Sequence, residues 1–296
     1  MNKLKLRQML HDFLCDDIGD GDITSEAIFP KHHLGSGVFI AKEPGIIAGL
    51  DIIEEACGLL DREIEVNLYR RDGDEVQAGE RIAEVHGRAT HLLSGERVIL
   101  NLLQRMSGIA TMTNTCIETL DDSSIQLCDT RKTMPGLGML DKYAVRIGGG
   151  KNHRKGLHDG VMIKDNHIAF CGSIKDAVQS ARKQIGHMVN IVVETETEEQ
   201  VEEAIASGAD VIMLDNCTPD QVRQRTALIP DHIVTEASGG ITLDNLADYA
   251  GTGIDYISLG FLTHSVRALD ISFNVQANDS ICMMDKSERK VLKRVQ

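Results

Sequence analysis

The strongest constraint on this chain lies in its second half, where short apolar runs alternate with helical patterns. The runs are IQLCD (125–129), VMIK (161–164), VNIVVE (189–194), DVIMLD (210–215), HIVTEAS (232–238) and DYISLG (255–260). Runs this short and apolar read as strands. Helical segments between them demand parallel strands with right-handed crossovers, in an open sheet or a barrel. A repeat favours the barrel. Thr197 opens a helical segment that ends at Gly208-Ala209-Asp210, and Thr242 opens another that ends at Gly253-Ile254-Asp255; in both, Thr stands eleven residues before Gly. Threonine suits an N-cap and glycine a left-handed C-terminal residue. Gln200 also completes a capping box with Thr197. Two copies of one helix–strand unit are therefore expected.

Residues 1–105 read as a separate unit. A helix (Leu4 to Leu14) precedes the acidic loop DDIGDGDITS, followed by strand-like GVFIAKE and GIIAGL, a helix from Asp51 to Leu60, and the strand-like EIEVNLYR. Turn signals at Asp72-Gly73 and Ala78-Gly79 flank short alternating strands. A long helical pattern then runs from Leu92 to Thr119, with Gly108 as an expected interruption.

Charge narrows the function. The net charge of −14, from 31 Lys+Arg against 45 Asp+Glu, disfavours nucleic acid and anionic membranes as partners. Apolar runs are too short to cross a bilayer, and the N-terminus turns acidic where a signal peptide needs an apolar core. A cytoplasmic location is expected. Seven cysteines at 15, 57, 116, 128, 171, 217 and 282 include no CxxC pair, which fits buried free thiols better than zinc or disulfides. Against this acidic background, Arg131 to Lys164 holds eight Lys/Arg and two acids. Within it, Lys142 and Arg146 fall on one helix face and read as solvated or paired. Gly148, Gly149 and Gly150 suit a tight turn.

In parallel α/β barrels the active site lies at the C-terminal strand ends. Those ends carry Thr130, Arg131 and Lys132; Lys164; Glu194; Asp215; Ser238-Gly239-Gly240; and Leu259-Gly260-Phe261. Arginine and lysine neutralise carboxylates or phosphates. Glycine loops after the last strands suit phosphate. Paired carboxylates bind sugar hydroxyls or hydrated Mg²⁺. His153 is balanced between a structural hydrogen-bonding role and ligand contact.

The run DTRKTMPGLGMLDKYAVRIGGGKNHRKGLHDGVMIKDNHI (129–168) resembles the quinolinate phosphoribosyltransferases, as do LLQRMSGIAT (102–111), VIMLDN (211–216), EASGGIT (236–242) and YISLGFLTHSVRALDIS (256–272). The resemblance implies an α/β protein, with an N-terminal α/β sandwich domain (1–105, completed by 266–296) plus an open, incomplete parallel α/β barrel (106–265). It implies a pentosyltransferase that uses Mg²⁺ and joins quinolinate to phosphoribosyl pyrophosphate with decarboxylation, in de novo NAD biosynthesis. Quinolinate contacts fall on Arg105, Arg131, His153, Arg154 and Lys164. Phosphoribosyl pyrophosphate contacts fall on Lys132, Glu194 and Asp215, the two carboxylates also reaching the metal through water. Thr130 adjoins these groups, and Ser238, Gly239, Gly240, Leu259, Gly260 and Phe261 form the phosphate loops. The resemblance further implies a homodimer in which Arg105 reaches the partner's site, a hexamer also being compatible. Phe261 stands where the family commonly has a small residue; backbone amides would still bind phosphate there. Gly138 replaces what is often a longer residue.

Three other readings compete. A relative encoded with molybdate transporters would differ in substrate. A Schiff-base aldolase would use Lys164, which would need a desolvated site rather than its cationic surroundings. A phosphate-ligand sensor would bind without turnover, against the presence of Glu194 and Asp215.

Overall fold

The computed structural model describes residues 1–276, and the expected tail segment beyond Gln276 lies outside the described residues. The chain divides into two compact units. The first holds Met1–Gly108 and the return segment from Ala268; the second is Ile109–Arg267.

The first unit begins with α1 (Lys3–Ile18), which buries Leu6, Leu10 and Leu14 at helical spacing. The loop after it ends in α2 (Ile23–Ile28), whose N-cap Asp22 accepts from the Ser25 amide. Strands β1 (Leu34–Ala41) and β2 (Gly45–Ile46), helix α3 (Asp51–Leu60), and strands β3 (Glu65–Leu68), β4 (Glu75–Val76) and β5 (Arg81–Arg88) follow. The expected strand GIIAGL shrinks to β2, which pairs only with β4. The main sheet is antiparallel and four-stranded. In it β1 lies between β5 and the strand Ile271–Gln276, and β3 pairs the other side of β5. Gly37 of β1 is dictated by packing: a Cβ there would sit 1.9 Å from the Phe273 ring. The Phe39 and Phe273 rings lie 4.9 Å apart, so the return strand lays a half-buried ring against the core residue Phe39. Sheet and helices enclose Phe39, Ile52, Ile53 and Ile82, all buried.

Helix α4 (Ala89–Leu120) runs for 32 residues, correcting the expected break at Gly108. A glycine costs a helix about 1 kcal/mol. Its neighbours Met106, Ser107, Ile109 and Ala110 are fully buried, and burying even one large side chain outweighs that cost. The boundary between the units falls within this helix.

In the second unit the elements are β6 (Gln126–Cys128), α5 (Gly138–Ile147), β7 (Val161–Ile163), α6 (Asp165–Cys171), α7 (Ile174–Gln184), β8 (Ile191–Thr195), α8 (Glu198–Ser207), β9 (Val211–Asp215), α9 (Pro219–Thr226), β10 (Val234–Ser238), β11 (Tyr256–Ser258) and α10 (Phe261–His264). All six strands are parallel, in the order β6-β11-β10-β9-β8-β7. Strands β6 and β7 occupy opposite ends, so the sheet is an open, incomplete barrel. Lys151 adds a single parallel bridge beside Cys128.

The repeat is half realised. Thr197 caps α8 in a full capping box with Gln200, and Gly208 ends it at φ +77°. After Thr242 the chain makes only a 3₁₀ turn, Leu246–Tyr249. Asn245 explains the difference. Its Oδ1 accepts from the Thr242 amide and its Nδ2 donates to the Gly240 carbonyl, which folds the segment into a loop.

Candidate active site

The C-terminal strand ends of the second unit surround an open cavity of about 470 Å³, within the usual range for small-molecule sites. One wall carries Thr130, Arg131 and Lys132 from the β6 end, together with His153 and Arg154 from the segment beside it. The other carries Lys164, Glu194 and Asp215 from the ends of β7, β8 and β9. Ser238, Gly239 and Gly240 close the rim after β10. Eleven of the expected residues thus meet in one place.

The remaining four lie elsewhere. Leu259 is buried in the core, its amide donating to the Cys128 carbonyl at 2.9 Å. Gly260 precedes α10, and a Cβ there would come within 3.2 Å of Lys132 Cδ; Thr263 Oγ1 donates to the Lys132 carbonyl at 2.9 Å. The loop after β11 therefore packs against Lys132. Phe261 opens α10 half-buried. Arg105 lies half-buried on α4 in the first unit.

Four lining residues were not anticipated as site residues: Met162, Met213, Asn216 and Ser258. The two methionines come from the strands' inward faces and follow from strand periodicity. Asn216 adopts φ +53°, its amide donates to the Ser238 carbonyl at 2.8 Å, and its Nδ2 donates to Asp215 Oδ2 at 2.7 Å. The LDN sequence after an apolar run was the available signal, since asparagine tolerates the left-handed conformation. Gly239 packs against this pair. It sits at φ +80°, and a Cβ there would lie 2.3 Å from Asn216 Oδ1 and 2.8 Å from Asp215 Oδ1.

Electrostatics separate the two walls. Burial raises the Asp215 carboxyl above the ordinary aspartate value, and the nearby Glu194 charge raises it further, against Lys164 and Lys132. Glu194 pairs with the Lys164 ammonium. On the cationic wall, burial followed by the neighbouring Arg131 charge lowers the Arg154 guanidinium. Two like charges are held close there, as a dianionic ligand would require.

Beneath that wall the two readings of Lys142, solvated or paired, are decided in favour of the second. Lys142 is 5% exposed, not solvated. Its Nζ donates to Asp129 Oδ1 at 2.6 Å, to the Thr130 carbonyl at 3.2 Å and to the His153 carbonyl at 3.1 Å. Burial raises the fully buried Asp129 carboxyl, and the Lys142 hydrogen bond and charge oppose it. Arg146 instead stacks over the Tyr143 ring at 5.6 Å. His153 makes the structural hydrogen bonds expected of it. It lines the cavity, while Nδ1 accepts from the Arg154 amide at 2.7 Å and Nε2 lies 3.4 Å from Glu236 Oε2. An accepting Nδ1 leaves the ring proton on Nε2.

An open parallel barrel with these strand-end groups defines an enzyme for polyanionic small molecules. Comparison with known proteins narrows the class. The family model "Quinolinate phosphoribosyl transferase, C-terminal domain" matches residues 109–274, and its N-terminal counterpart matches 22–107. The "Probable nicotinate-nucleotide pyrophosphorylase (carboxylating)" of Bacillus subtilis is 59% identical over 282 residues, covering 95% of this chain and 97% of that protein. The corresponding Mycobacterium leprae enzyme is 41% identical, covering 91% and 95%. The crystal structure of NadC from Streptococcus pyogenes superposes with a TM-score of 0.91 at 39% identity, covering 94% and 99%. The chain belongs to the quinolinate phosphoribosyltransferase family.

Proposed function

We propose that this chain transfers the phosphoribosyl group of phosphoribosyl pyrophosphate to quinolinate, releasing pyrophosphate and CO₂ and giving nicotinate mononucleotide for de novo NAD biosynthesis. The observation that carries this reading is the single cavity with a cationic wall facing a carboxylate wall. The cationic wall suits the two carboxylates of quinolinate, held by Arg131, His153 and Arg154, with Lys164 reaching them from the other wall. This fixes the ring so that its nitrogen meets the anomeric carbon. Lys132 neutralises charge on the departing pyrophosphate. Glu194 and Asp215 hold the ribose hydroxyls and stabilise positive charge building at the anomeric centre. Once the ring nitrogen is ribosylated, its positive charge stabilises the electron pair that departing CO₂ leaves on the neighbouring ring carbon, and a proton from water then takes up that pair. No side chain is required as a covalent nucleophile.

Glu194 and Asp215, oxygen donors on adjacent strands, fit a Mg²⁺ that keeps most of its waters and shares the substrate phosphates. Such an ion, when bound, supplies further positive charge to the leaving group. The active form is a homodimer to whose sites Arg105 is contributed by the partner. It works in the cytoplasm, where the free cysteines at 15, 57, 116, 128, 171 and 217 stay reduced.

The test is release of CO₂ and pyrophosphate from quinolinate, phosphoribosyl pyrophosphate and Mg²⁺, with nicotinate as the control acceptor. Turnover of quinolinate, lost in EDTA and restored by Mg²⁺, is expected. Turnover of nicotinate but not quinolinate would overturn the assignment.

A further inference from the structure

Asp129, Lys142 and Asn152 form a closed network, the first two buried and Asn152 half-buried. Asp129 Oδ1 accepts from Lys142 Nζ at 2.6 Å and from the His153 amide at 2.8 Å; Oδ2 accepts from Asn152 Nδ2 at 2.7 Å. Asn152 Nδ2 also donates to the Lys142 carbonyl at 2.8 Å. The ammonium has three acceptors, so its three hydrogens are all engaged. It has no donor left for a ligand. Its partners belong to two separate segments, 129–132 and 152–154, and each segment brings cationic side chains to the cavity wall. Each segment thus carries an arginine, Arg131 on one and Arg154 on the other, to the same cavity.

We propose that Lys142, with Asp129 and Asn152, is a positioning residue that clamps these segments at the spacing a dicarboxylate spans. The inference rests on the quinolinate reading of the cavity. With the clamp intact, Arg131 and Arg154 stay close enough for one ligand to bridge them with two carboxylates. With it loosened, like charges move apart. A ligand with one carboxylate still finds one arginine, whereas a dicarboxylate loses its second contact. The expected signature is thus a change in the ratio of two affinities. A general folding defect, which lowers both alike, leaves that ratio unchanged.

Removing Lys142 alone would leave the Asp129 charge buried without its partner, so two other variants carry the test. The paired Asp129→Asn/Lys142→Gln variant replaces the ion pair by neutral hydrogen-bonding groups. Asn152→Ala removes two of the bonds and leaves the ion pair in place. Calorimetry on the full-length folded protein would measure the affinity for quinolinate and, separately, for nicotinate. Quinolinate affinity is expected to fall about tenfold in the paired variant, the worth of one charge-assisted hydrogen bond. Nicotinate affinity should change less than about threefold, and Asn152→Ala should give a smaller shift in the same direction. Equal loss for both ligands, or no loss in either variant, would overturn the clamp. Failure of the unaltered protein to bind quinolinate would instead overturn the substrate assignment.

Discussion

Gly239 and Gly240 allow backbone strain and site packing to be measured apart. Both have positive φ, +80° and +68°, so alanine at either pays about 1–2 kcal/mol for the left-handed conformation. Beyond Cβ 240 there is open space within 4 Å, whereas Cβ 239 would overlap Asn216 Oδ1 and Asp215 Oδ1. Overpacking of this kind adds about 1–3 kcal/mol. The overlapped atoms cannot yield cheaply, since Asn216 Nδ2 holds Asp215 at 2.7 Å and the Asn216 amide is tied to the Ser238 carbonyl. Gly240→Ala should therefore lower the melting temperature by a few degrees, at about 2–4 °C per kcal/mol. Gly239→Ala should lower it further and displace the Asp215 carboxylate. Its kcat/KM should fall about 10- to 100-fold below that of Gly240→Ala, at about 1.4 kcal/mol per factor of ten. Thermal melts and steady-state kinetics on the two variants side by side are the assay. Equal kcat/KM in the two would refute the packing of the glycine loop on Asp215.

Arg131→Ala and Arg154→Ala should each raise the KM for quinolinate about tenfold or more, the worth of a charge-assisted hydrogen bond; an unchanged KM would count against the cationic wall as the quinolinate site. Asp215→Asn should leave quinolinate affinity nearly intact and slow turnover, and loss of folding would assign Asp215 a structural role instead. Burial pushes the Cys57 and Cys116 thiols up to about 12, so they stay protonated at neutral pH. Iodoacetamide followed by peptide mapping should label exposed Cys15 and Cys171 in the native protein, and Cys57 and Cys116 only after unfolding. Mixing inactive Arg105→Ala and Asp215→Asn proteins should restore part of the activity if the partner supplies Arg105; no recovery after subunit exchange would argue against a shared site.

The strand–helix alternation made the second unit's class legible, because buried strands leave apolar runs that periodicity detects. Strand order was not legible, since pattern carries no pairing information. The strand-end residues from Thr130 to Asp215 could be read because barrel topology places them on one rim. Lys142 could not. Its position on a helix left solvated and paired readings open, and its partners Asp129 and His153 approach only when the chain folds back beside β6. The loop after Thr242 also defeated the repeat, because Asn245 folds it into a turn despite matching Thr and Gly positions. The continuity of α4 through Gly108 likewise depended on tertiary burial that no local propensity reports.

The strand Ile271–Gln276 gives the chain an order of assembly. It pairs with β1 from Ala41↔Ile271 to Ser36↔Gln276, so one edge of the first sheet is supplied by residues synthesised after the entire second unit. On the ribosome, β1 therefore presents an unpaired edge while more than two hundred residues emerge behind it, and closing such a long loop is slow. Unpaired strand edges recruit other chains. A chain stopped short of Ile271 would lose Phe273 from beside Phe39 and keep that edge exposed, making premature termination a route to aggregation as well as to lost activity.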